Sequence, residues 1–318
     1  MVRVRITRGE QTWEVPPEKF EDFAFEHGDS LAVVPESVAV TLPKSWGDTC
    51  IEVAPGHAFR VPPKFEYFDY KGFHIPEHLI ALTGAGSQTL EIVGRAHIDH
   101  FQKFVGIASG MTVVEMGCGI GRDAFQLFDL LGAGGRYIGI DVTRDSIGWC
   151  QRNITPRHPN FTFHHFDAYS ELYNPFGRKA TTDFTIPVDD GSVDRIVLTS
   201  VFTHMLEDEV LHYMHEFRRI LKPDGLVYAN VFLISDASLE SARTTNNTPW
   251  AKDFVHYGNG RYGADPAHPR GAVGYTDEAL RRMVGEAGLS VRGYVKGWWS
   301  GLYGDDAEDG QDALILGR

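Results

Sequence analysis

The stretch that decides the fold of this chain is residues 113–123, Val113-Val114-Glu115-Met116-Gly117-Cys118-Gly119-Ile120-Gly121-Arg122-Asp123. A mostly apolar run, of the kind that forms a buried strand, leads into three glycines at alternate positions, and a helical pattern follows. Glycines let the backbone turn sharply and let a ligand approach main-chain N–H groups that a Cβ atom would block. The stretch therefore predicts a strand, a ligand-binding loop and a helix, although purely structural turns share this pattern.

Strands and helices alternate along the chain after residue 90. We expect helices at residues 90–105, 122–131, 145–153, 207–221 and 277–287. We expect strands at residues 112–116, 137–141, 161–165, 194–199, 226–232, 290–296 and 312–316. This alternation is typical of an α/β protein whose parallel sheet carries helices on both faces. The last two strands are joined by a loop too short for a crossover helix, so they must pair antiparallel. The sequence thus predicts a Rossmann-like, mostly parallel, seven-stranded sheet with an antiparallel final strand.

The first 70 residues have a different character. Short strands are predicted at residues 2–6, 31–34, 38–42 and 51–53, and prolines punctuate them. We therefore divide the chain into a small β-rich N-terminal accessory segment, residues 1–70, and a main domain, residues 71–318. Aromatic residues are dense between residues 64 and 74, which is typical either of a hydrophobic seam or of a lid over a pocket. An exposed edge strand in the accessory segment could pair subunits into a homo-oligomer or help to enclose a ligand.

The composition narrows the partners of this 318-residue chain. It has 30 basic and 43 acidic residues and a net charge of −13, whereas a protein that binds nucleic acid normally presents a basic face. The three cysteines, Cys50, Cys118 and Cys150, are too few and too scattered for a disulfide framework or a zinc site. The N-terminus lacks the apolar stretch of a signal peptide, and no run approaches the length of a membrane span. We expect a cytoplasmic protein that binds neither nucleic acid nor membrane.

Two acidic residues follow the first two strands that come after the glycine loop. Asp141 ends the first of them, 24 residues after Gly117, where a carboxylate can accept hydrogen bonds from both hydroxyls of a ribose. Asp167 follows the second, where the edge of an adenine would lie. Either acid alone could be a helix cap or a turn residue. Together with the glycine loop they indicate one adenosine-containing ligand.

The form of the glycine loop separates two classes of adenosine ligand. Dinucleotide oxidoreductases carry G-x-G-x-x-G, whose loop and helix hold a pyrophosphate. This chain has G-x-G-x-G, and Glu115, two residues before the first glycine, would repel a pyrophosphate but suits an α-amino group. A Leu-Lys-Pro-Asp-Gly turn occupies residues 221–225. With that turn, the two acids and the reversed final strand, residues 90–318 resemble the class I S-adenosylmethionine (SAM) dependent methyltransferases.

The resemblance implies that SAM is the cofactor, and it implies a role for each matching residue. Asp141 would hold the ribose, Val142 would lie against the adenine, and Asp167 would accept from the adenine amino group. Thr199 and Ser200 would lie under the sulfonium. The residues carried over as cofactor contacts are Glu115, Gly117, Cys118, Gly119, Gly121, Asp141, Val142, Asp167, Ala168, Thr199 and Ser200.

The methyl group must leave toward the end of the fourth strand, because ligands in such sheets bind outside the carboxyl edge. Residues 200–205 there read Ser-Val-Phe-Thr-His-Met and lack the Asn/Asp-Pro-Pro-Tyr/Phe tetrapeptide of DNA and protein amide methyltransferases. The run resembles bacterial small-molecule methyltransferases that act on sugars or natural products, which implies a hydroxyl acceptor. His204 is the candidate general base, since an unperturbed pKa of roughly 6.5 suits proton abstraction at neutral pH. A histidine that packs against the cofactor or caps the next helix is the alternative. The strand ends in Thr-Ser rather than in carboxylates, so we expect no metal.

Residues 235–275 form a long connection that we expect to be an insertion or lid beside the acceptor pocket. The residues predicted to contact the acceptor are Thr203, Trp250, Tyr257, Arg261 and Trp299. Three alternatives stay open: methyl transfer to nitrogen or carbon, a NAD-dependent oxidoreductase, and a SAM-binding protein without transferase activity. An oxidoreductase would place its third glycine where Arg122 stands.

Overall fold

The computed structural model describes residues 67–318 except residues 85, 171–172 and 175–176, together with the backbone of six short strands in the first 66 residues. Those strands are β1 (Val4–Arg8), β2 (Gln11–Val15), β3 (Ala32–Val34), β4 (Val40–Thr41), β5 (Cys50–Glu52) and β6 (Ala58–Arg60). Four of them form an antiparallel sheet in the order β2-β1-β5-β4, and β3 pairs with β6. The predicted β-rich start is confirmed, although β2 and β6 were not predicted.

A seven-stranded sheet forms the centre of the main domain. In spatial order its strands are β11 (Phe161–His165), β10 (Arg136–Asp141), β9 (Thr112–Met116), β12 (Val193–Leu198), β13 (Leu221–Val231), β19 (Asp312–Gly317) and β18 (Ser290–Val295). Strands β9 to β13 are parallel, and β19 runs antiparallel to both of its neighbours. The predicted mostly parallel sheet with a reversed final strand is confirmed. Apart from β13, the strand ends differ from the prediction by at most one residue.

Helices cover both faces of this sheet. They are α1 (Glu77–Ala81), α2 (Leu90–Val105), α3 (Ala124–Leu131), α4 (Arg144–Asn153), α5 (Glu207–Ile220), α6 (Asp236–Thr245) and α7 (Asp277–Glu286). Val113 points into a core shared with α2, α3 and α4, whereas Val114 points into a core shared with α5 and α7. Because successive side chains of a strand face opposite sides, the apolar run of each central strand fills both cores. Within the described residues, no helix is both long and apolar enough to span a membrane.

Strand β13 begins earlier than the sequence predicts. Leu221 pairs with Val193, and pairing resumes with Leu226 opposite Arg195, so the residues between them bulge out of the strand. A Cβ atom at Gly225 would lie 2.7 Å from Cδ2 of Leu221. The predicted turn at residues 221–225 is therefore a bulge inside the strand, and glycine is needed because the chain folds back on itself there.

The segment predicted as an insertion has its own small sheet. Its strands are β14 (Leu233–Ile234), β15 (Val255–His256), β16 (Arg261–Gly263) and β17 (Val273–Thr276), in the order β14-β17-β16-β15. A separate apolar cluster, which includes Phe232, Phe254 and Trp299, packs beneath it. The apolar positions of these short elements lack a long regular period, which explains why no strand is predicted here.

A hairpin of β7 (Tyr67–Tyr70) and β8 (Phe73–Pro76) packs onto the main domain. The rings of Tyr70 and Phe73 are buried, and their centroids lie 5.6 and 5.3 Å from that of Phe125 on α3. These contacts favour the hydrophobic seam over the lid for the aromatic segment. A division of the chain between residues 70 and 71 would cut this hairpin at its turn.

Candidate active site

A cavity of about 240 Å³ opens at the carboxyl edge of the parallel strands. Four neighbouring strands contribute to its walls, with Glu115 on β9, Asp141 on β10, Phe166 just after β11 and Ser200 just after β12. This is the edge at which open α/β sheets bind their ligands. The strand ends that the sequence singled out therefore meet in one cavity.

Two of the loop glycines line this cavity in backbone conformations that favour glycine. Gly117 has φ +77° and Gly119 has φ +51°. The N–H groups of Gly117 and Cys118 donate to the carbonyl of Ile140 at 2.8 and 3.1 Å, which ties the loop to the neighbouring strand. A Cβ atom at Gly117 would lie 2.5 Å from Cγ2 of Val201. The loop needs glycine to pass this close to the residues after β12, and it presents main chain rather than side chains to the cavity.

Asp141 lines the cavity and also holds the glycine loop. Its Oδ2 accepts from the N–H of Gly119 at 2.7 Å, and its Oδ1 accepts from the N–H and the hydroxyl of Thr143 at 2.7 and 2.6 Å. A carboxylate offers about four lone-pair directions. One further acceptor position therefore stays available for a hydroxyl of the predicted ribose.

Glu115 is a buried carboxyl group in the wall of the cavity. It is 3% exposed and accepts a hydrogen bond from the hydroxyl of Tyr137. Burial and the nearby Asp123 carboxylate raise the pKa of Glu115 well above its ordinary value, against the hydrogen bond of Tyr137 and the charge of Arg122. A cation brought beside Glu115 would favour its ionised form. The α-amino group of SAM, which the resemblance assigns to Glu115, is such a cation.

Arg122 is a cavity residue to which the sequence analysis assigned no role. Its Nη1 donates to the carbonyl of Thr83 at 3.2 Å, and its Nε donates to Oδ1 of Asp123 at 3.3 Å. Asp123 is fully buried and also lies 2.8 Å from Nδ1 of His97. A guanidinium that lines the same cavity as Glu115 suits the carboxylate of an amino-acid moiety. The available signal was a cation directly after the third glycine.

The structure separates the residues predicted around the adenine. Val142 and Ala168 line the cavity, whereas the side chain of Asp167 does not. The Asp167 carboxylate accepts from Nε of Arg178 at 2.7 Å and from Nδ2 of Asn174 at 3.3 Å. Burial acts to raise the pKa of Asp167, but these two donors outweigh it and hold the pKa below its ordinary value. An adenine amino group at Asp167 would share this carboxylate with two protein donors.

The chain turns sharply after β12. Ser200 has φ +58°, although it is not glycine, and both Thr199 and Ser200 line the cavity. The Ser200 hydroxyl accepts from Nε2 of Gln311 at 3.0 Å and lies 3.4 Å from the hydroxyl of Thr203. Thr203 is fully buried and does not line the cavity. Its position is that of a residue that supports the turn rather than one that contacts an acceptor.

His204 lines the cavity, and its ring has a defined partner. Its Nδ1 lies 2.9 Å from the backbone carbonyl of Arg270. Burial lowers the pKa of His204 below its ordinary value, against the backbone of Arg270 and Gly271, which acts to raise it. A neutral ring whose Nδ1–H donates to a carbonyl keeps the lone pair on Nε2. The lowered pKa favours a neutral ring at His204, and the nearby carbonyl favours the Nδ1–H form of that ring.

The other residues predicted to contact the acceptor lie elsewhere. Trp299 is 2% exposed, and its Nε1 donates to Oδ2 of Asp312 at 2.6 Å, so it is a core residue. The remaining predicted contacts that do not line the cavity are Trp250, Tyr257 and Arg261. Residues 235–275 are all described, and among them only Arg270 lines the cavity. The segment therefore reaches the site through one residue that the sequence analysis did not single out.

The thiols near the glycine loop are buried. Cys118 and Cys150 are free, and each Sγ lies close to the carbonyl of Gly119, at 3.8 and 3.9 Å. Burial raises the pKa of both thiols well above the ordinary value. Among the residues that the structure describes, no group of three or more His, Cys, Asp or Glu side chains could hold a metal ion. Cys118 lines the cavity with a buried thiol, and its predicted contact with the cofactor stays a prediction.

Comparison with known proteins agrees with this geometry. Residues 113–225 match a family model described as a methyltransferase domain. An arsenite methyltransferase of Aquipseudomonas alcaligenes is 26% identical over 192 residues, covering 57% of this chain and 52% of the relative. The chain thus spans about half the length of that relative.

Solved structures of similar shape include two methyltransferases. One is a SAM-dependent methyltransferase from Aquifex aeolicus, with a TM-score of 0.46 and 16% identity, covering 76% of this chain and 98% of that one. The other is the 1,6-didemethyltoxoflavin-N1-methyltransferase of Burkholderia thailandensis with bound S-adenosylhomocysteine, with a TM-score of 0.45 and 14% identity, covering 79% and 92%.

The matched residues 113–225 contain the glycine loop and the acid of β10. The cavity has a group for each part of SAM. Glu115 and Arg122 suit the amino-acid end, Asp141 suits the ribose, and the glycine loop leaves space that a Cβ atom would fill. Residues 113–225 therefore match a methyltransferase domain, and the cavity that they help to line fits SAM as the cofactor.

Proposed function

We propose that this domain transfers a methyl group from SAM to a hydroxyl of a small molecule, either a sugar or a natural product. The observation that carries the proposal is the position of His204, whose ring lies in the wall of the cavity with Nδ1 2.9 Å from the carbonyl of Arg270. An alcohol must lose its proton as it attacks a methyl carbon, so a hydroxyl acceptor has a use for such a base. The net charge of −13 also disfavours a nucleic-acid acceptor.

In this proposal each residue has a limited task. SAM, when bound, supplies a methyl carbon whose bond to sulfur breaks with the electron pair left on sulfur. Glu115 and Arg122 would hold the amino-acid end, and Asp141 would hold the ribose. Nε2 of His204 takes the hydroxyl proton as the acceptor oxygen bonds to the methyl carbon. Orientation of the reacting groups can supply ~7–11 kcal/mol of the barrier reduction, and a general base adds ~10²–10⁴-fold in rate.

Arsenite, which the name of the relative gives as its acceptor, is not the acceptor that we propose here. Arsenic(III) is a soft centre, and soft centres prefer thiolate ligands. Both described thiols, Cys118 and Cys150, are buried, and their raised pKa values keep them as thiols. We therefore include arsenite among the compounds to be tested but do not propose it as the acceptor.

The test is a screen of acceptors with methyl-labelled SAM. The panel holds monosaccharides, phenolic natural products, primary amines and arsenite, and both S-adenosylhomocysteine and labelled product are measured. We expect label to enter a hydroxyl compound, and we expect His204→Gln to lower turnover of that compound by ~10²-fold or more. Transfer to amines or arsenite alone would contradict the hydroxyl assignment.

A matched control separates the base from a general effect of losing a histidine. His212 is half-buried on α5, with Nε2 2.7 Å from the carbonyl of Phe184, and it does not line the cavity. His212→Gln should leave turnover within a few-fold of wild type. Calorimetric titration with S-adenosylhomocysteine should show the same affinity for both variants. Unchanged turnover in His204→Gln with intact cofactor binding would remove His204 as the base.

A further inference from the structure

We infer that Arg270 and Glu209 are positioning residues that fix the orientation and tautomer of His204. The inference rests on the proposed function, because it explains how His204 is prepared to act as a base. It adds two residues to which neither the sequence pattern nor the resemblance gave a role. Both line the cavity.

The first link joins His204 to the tip of a hairpin. Arg270 belongs to the connection between β16 and β17, where the N–H of His268 donates to the carbonyl of Asp265 and the N–H of Gly271 donates to the carbonyl of His268. This tight turn carries the Arg270 carbonyl to within 2.9 Å of Nδ1 of His204. A carbonyl oxygen can only accept, so the proton of a neutral ring must sit on Nδ1.

The second link fastens that hairpin tip to a helix. The guanidinium of Arg270 donates from Nη1 to Oε2 of Glu209, in the first turn of α5. Glu209 is itself fixed, because the same oxygen accepts from the N–H of Leu206 at 2.8 Å. Its side chain is 6% exposed and that of Arg270 is 24% exposed. Removing one partner of so buried a pair leaves the other charge without compensation, so the pair resists opening.

A third contact holds the base of the same hairpin against the His204 segment. The hydroxyl of Tyr275, on β17, donates to the carbonyl of Met205 at 2.9 Å. The tip and the base of the hairpin are thus attached separately, the tip by Arg270 and the base by Tyr275. Loss of the Arg270 anchor should free the tip, and with it the carbonyl that His204 uses, while the base stays in place.

The described titratable groups around His204 include two phenols. The ring of Tyr173 lies 6.2 Å away in an edge-on arrangement, and Tyr213 also lines the cavity. Burial raises the pKa of both phenols, so they stay neutral at physiological pH. Glu209 and Arg270 also line the cavity, and as an ion pair their charges compensate each other. Among the described residues, no carboxylate acts to raise the pKa of His204.

The experiment reads the tautomer directly by NMR of protein labelled with ¹⁵N-histidine and saturated with S-adenosylhomocysteine. The two ring nitrogens differ in ¹⁵N shift according to which carries the hydrogen, and comparison with His204→Gln identifies the signals. We expect His204 of the wild type to show only the Nδ1–H form near pH 7.5. Arg270→Ala should lose that form in favour of a mixture, and Arg270→Lys should restore part of it. Glu209→Gln should weaken the form in the same direction as Arg270→Ala.

The matched control is another ion pair of the same helix turn. Glu207 lies 2.8 Å from Nη2 of Arg282, a partly exposed pair outside the cavity. Glu207→Gln removes one negative charge from the start of α5, as Glu209→Gln does, and should leave the His204 signals unchanged. Where Arg270→Ala proves unstable, Glu209→Gln and Arg270→Lys carry the same readout with smaller changes.

The outcomes separate this inference from the proposed function. An Nε2–H wild type, or an unchanged Nδ1–H form in both Arg270→Ala and Glu209→Gln, would overturn the inference. If the tautomer follows Arg270 but His204→Gln turns over a hydroxyl acceptor at the wild-type rate, the base assignment fails while the positioning contact stands. With an acceptor from the panel, Arg270→Ala should lower kcat by ~10-fold or more with little change in cofactor affinity, a part of the general-base contribution.

Discussion

Cofactor binding should release a proton from Glu115. This carboxyl is 3% exposed, and its pKa is raised by burial and by the neighbouring Asp123 carboxylate. If the α-amino group of the cofactor sits against Glu115, the ionised form must be present in the complex. A group that is protonated in the free protein and ionised in the complex gives up to one proton per cofactor bound. The perturbation is therefore pH, with Glu115→Gln as the variant that removes the titrating group.

The magnitude follows from linkage. Below the pKa of Glu115 in the free protein, each pH unit should strengthen binding of S-adenosylhomocysteine about tenfold, which is ~1.4 kcal/mol. Above that pKa the affinity should level off, because no proton remains to be released. The hydrogen bond from the Tyr137 hydroxyl acts to lower the pKa of Glu115. Tyr137→Phe should therefore move the pH dependence to higher pH, whereas Glu115→Gln should flatten it.

Isothermal titration calorimetry tests this in buffers of different ionisation enthalpy between pH 6 and 8. The observed enthalpy should vary with the buffer enthalpy, with a slope that gives the number of protons released. That slope should fall toward zero in Glu115→Gln. Tight binding by the wild type without proton release would refute the reasoning, as would an unchanged slope in Glu115→Gln. Either result would separate the amino group of the cofactor from this carboxyl.

Asp312→Ala should lower the free energy of unfolding by about 2–5 kcal/mol in urea denaturation, because its buried carboxyl accepts three N–H groups; a loss under ~0.5 kcal/mol would contradict this. The nearby Asp309 carboxylate raises the pKa of His100. The contribution of His100 to the free energy of unfolding is therefore fully present below pH about 6.5, the pKa of histidine in the unfolded chain. It is lost as the pH rises through the pKa of His100 in the folded protein. Burial raises the pKa of Asp309, but its hydrogen bonds bring it to about 2, so its contribution is present above about pH 3.9 and is lost as pH falls toward 2. His100→Gln should then cost more thermal stability at pH 5 than at pH 8, and equal losses would be inconsistent with the ion pair. Gly117→Ala should weaken binding of S-adenosylhomocysteine by about 1–3 kcal/mol, because alanine is strained at this positive φ and its Cβ would clash with Val201. Calorimetry should show partial recovery of the affinity in the double variant with Val201→Ala.

The cofactor half of the site could be predicted from the sequence because its signals are local. Each of Glu115, Gly117 and Asp141 stands at the end of a strand, and parallel strands bring their carboxyl ends to one edge. The positions of these residues along the chain are therefore enough to predict that they lie close together. Arg122 stands directly after the same loop and could have been included on the same grounds. Asp167 obeys the local rule, yet its side chain is held by Arg178, a contact that no spacing rule predicts.

The acceptor half could not be predicted in the same way. Aromatic residues of the insertion, Trp250 and Tyr257 among them, were chosen for their chemistry, but the small sheet of that segment keeps them away from the cavity. Trp299 illustrates the physical reason, because a large apolar ring with one N–H is as well suited to a core with a buried carboxylate as to a substrate. Residue type alone does not separate these two environments, and burial is decided by the tertiary arrangement.

The contact between Arg270 and His204 shows which residues a sequence pattern would need in order to predict it. His204 bonds to a backbone carbonyl, so this hydrogen bond demands no particular side chain at position 270. The anchor does make a demand, because a carboxylate in the first turn of α5 requires a cation at the hairpin tip. The two ends of that contact are 61 residues apart, and the hairpin strands have only three and four residues. The pattern to seek thus has three parts. A histidine follows β12, a glutamate stands five residues later, and an arginine lies in the turn between β16 and β17. A chain with the histidine but without the glutamate and the arginine should hold the histidine ring less firmly. The carbonyl that accepts from Nδ1 would then belong to a loop without an ion pair to hold it.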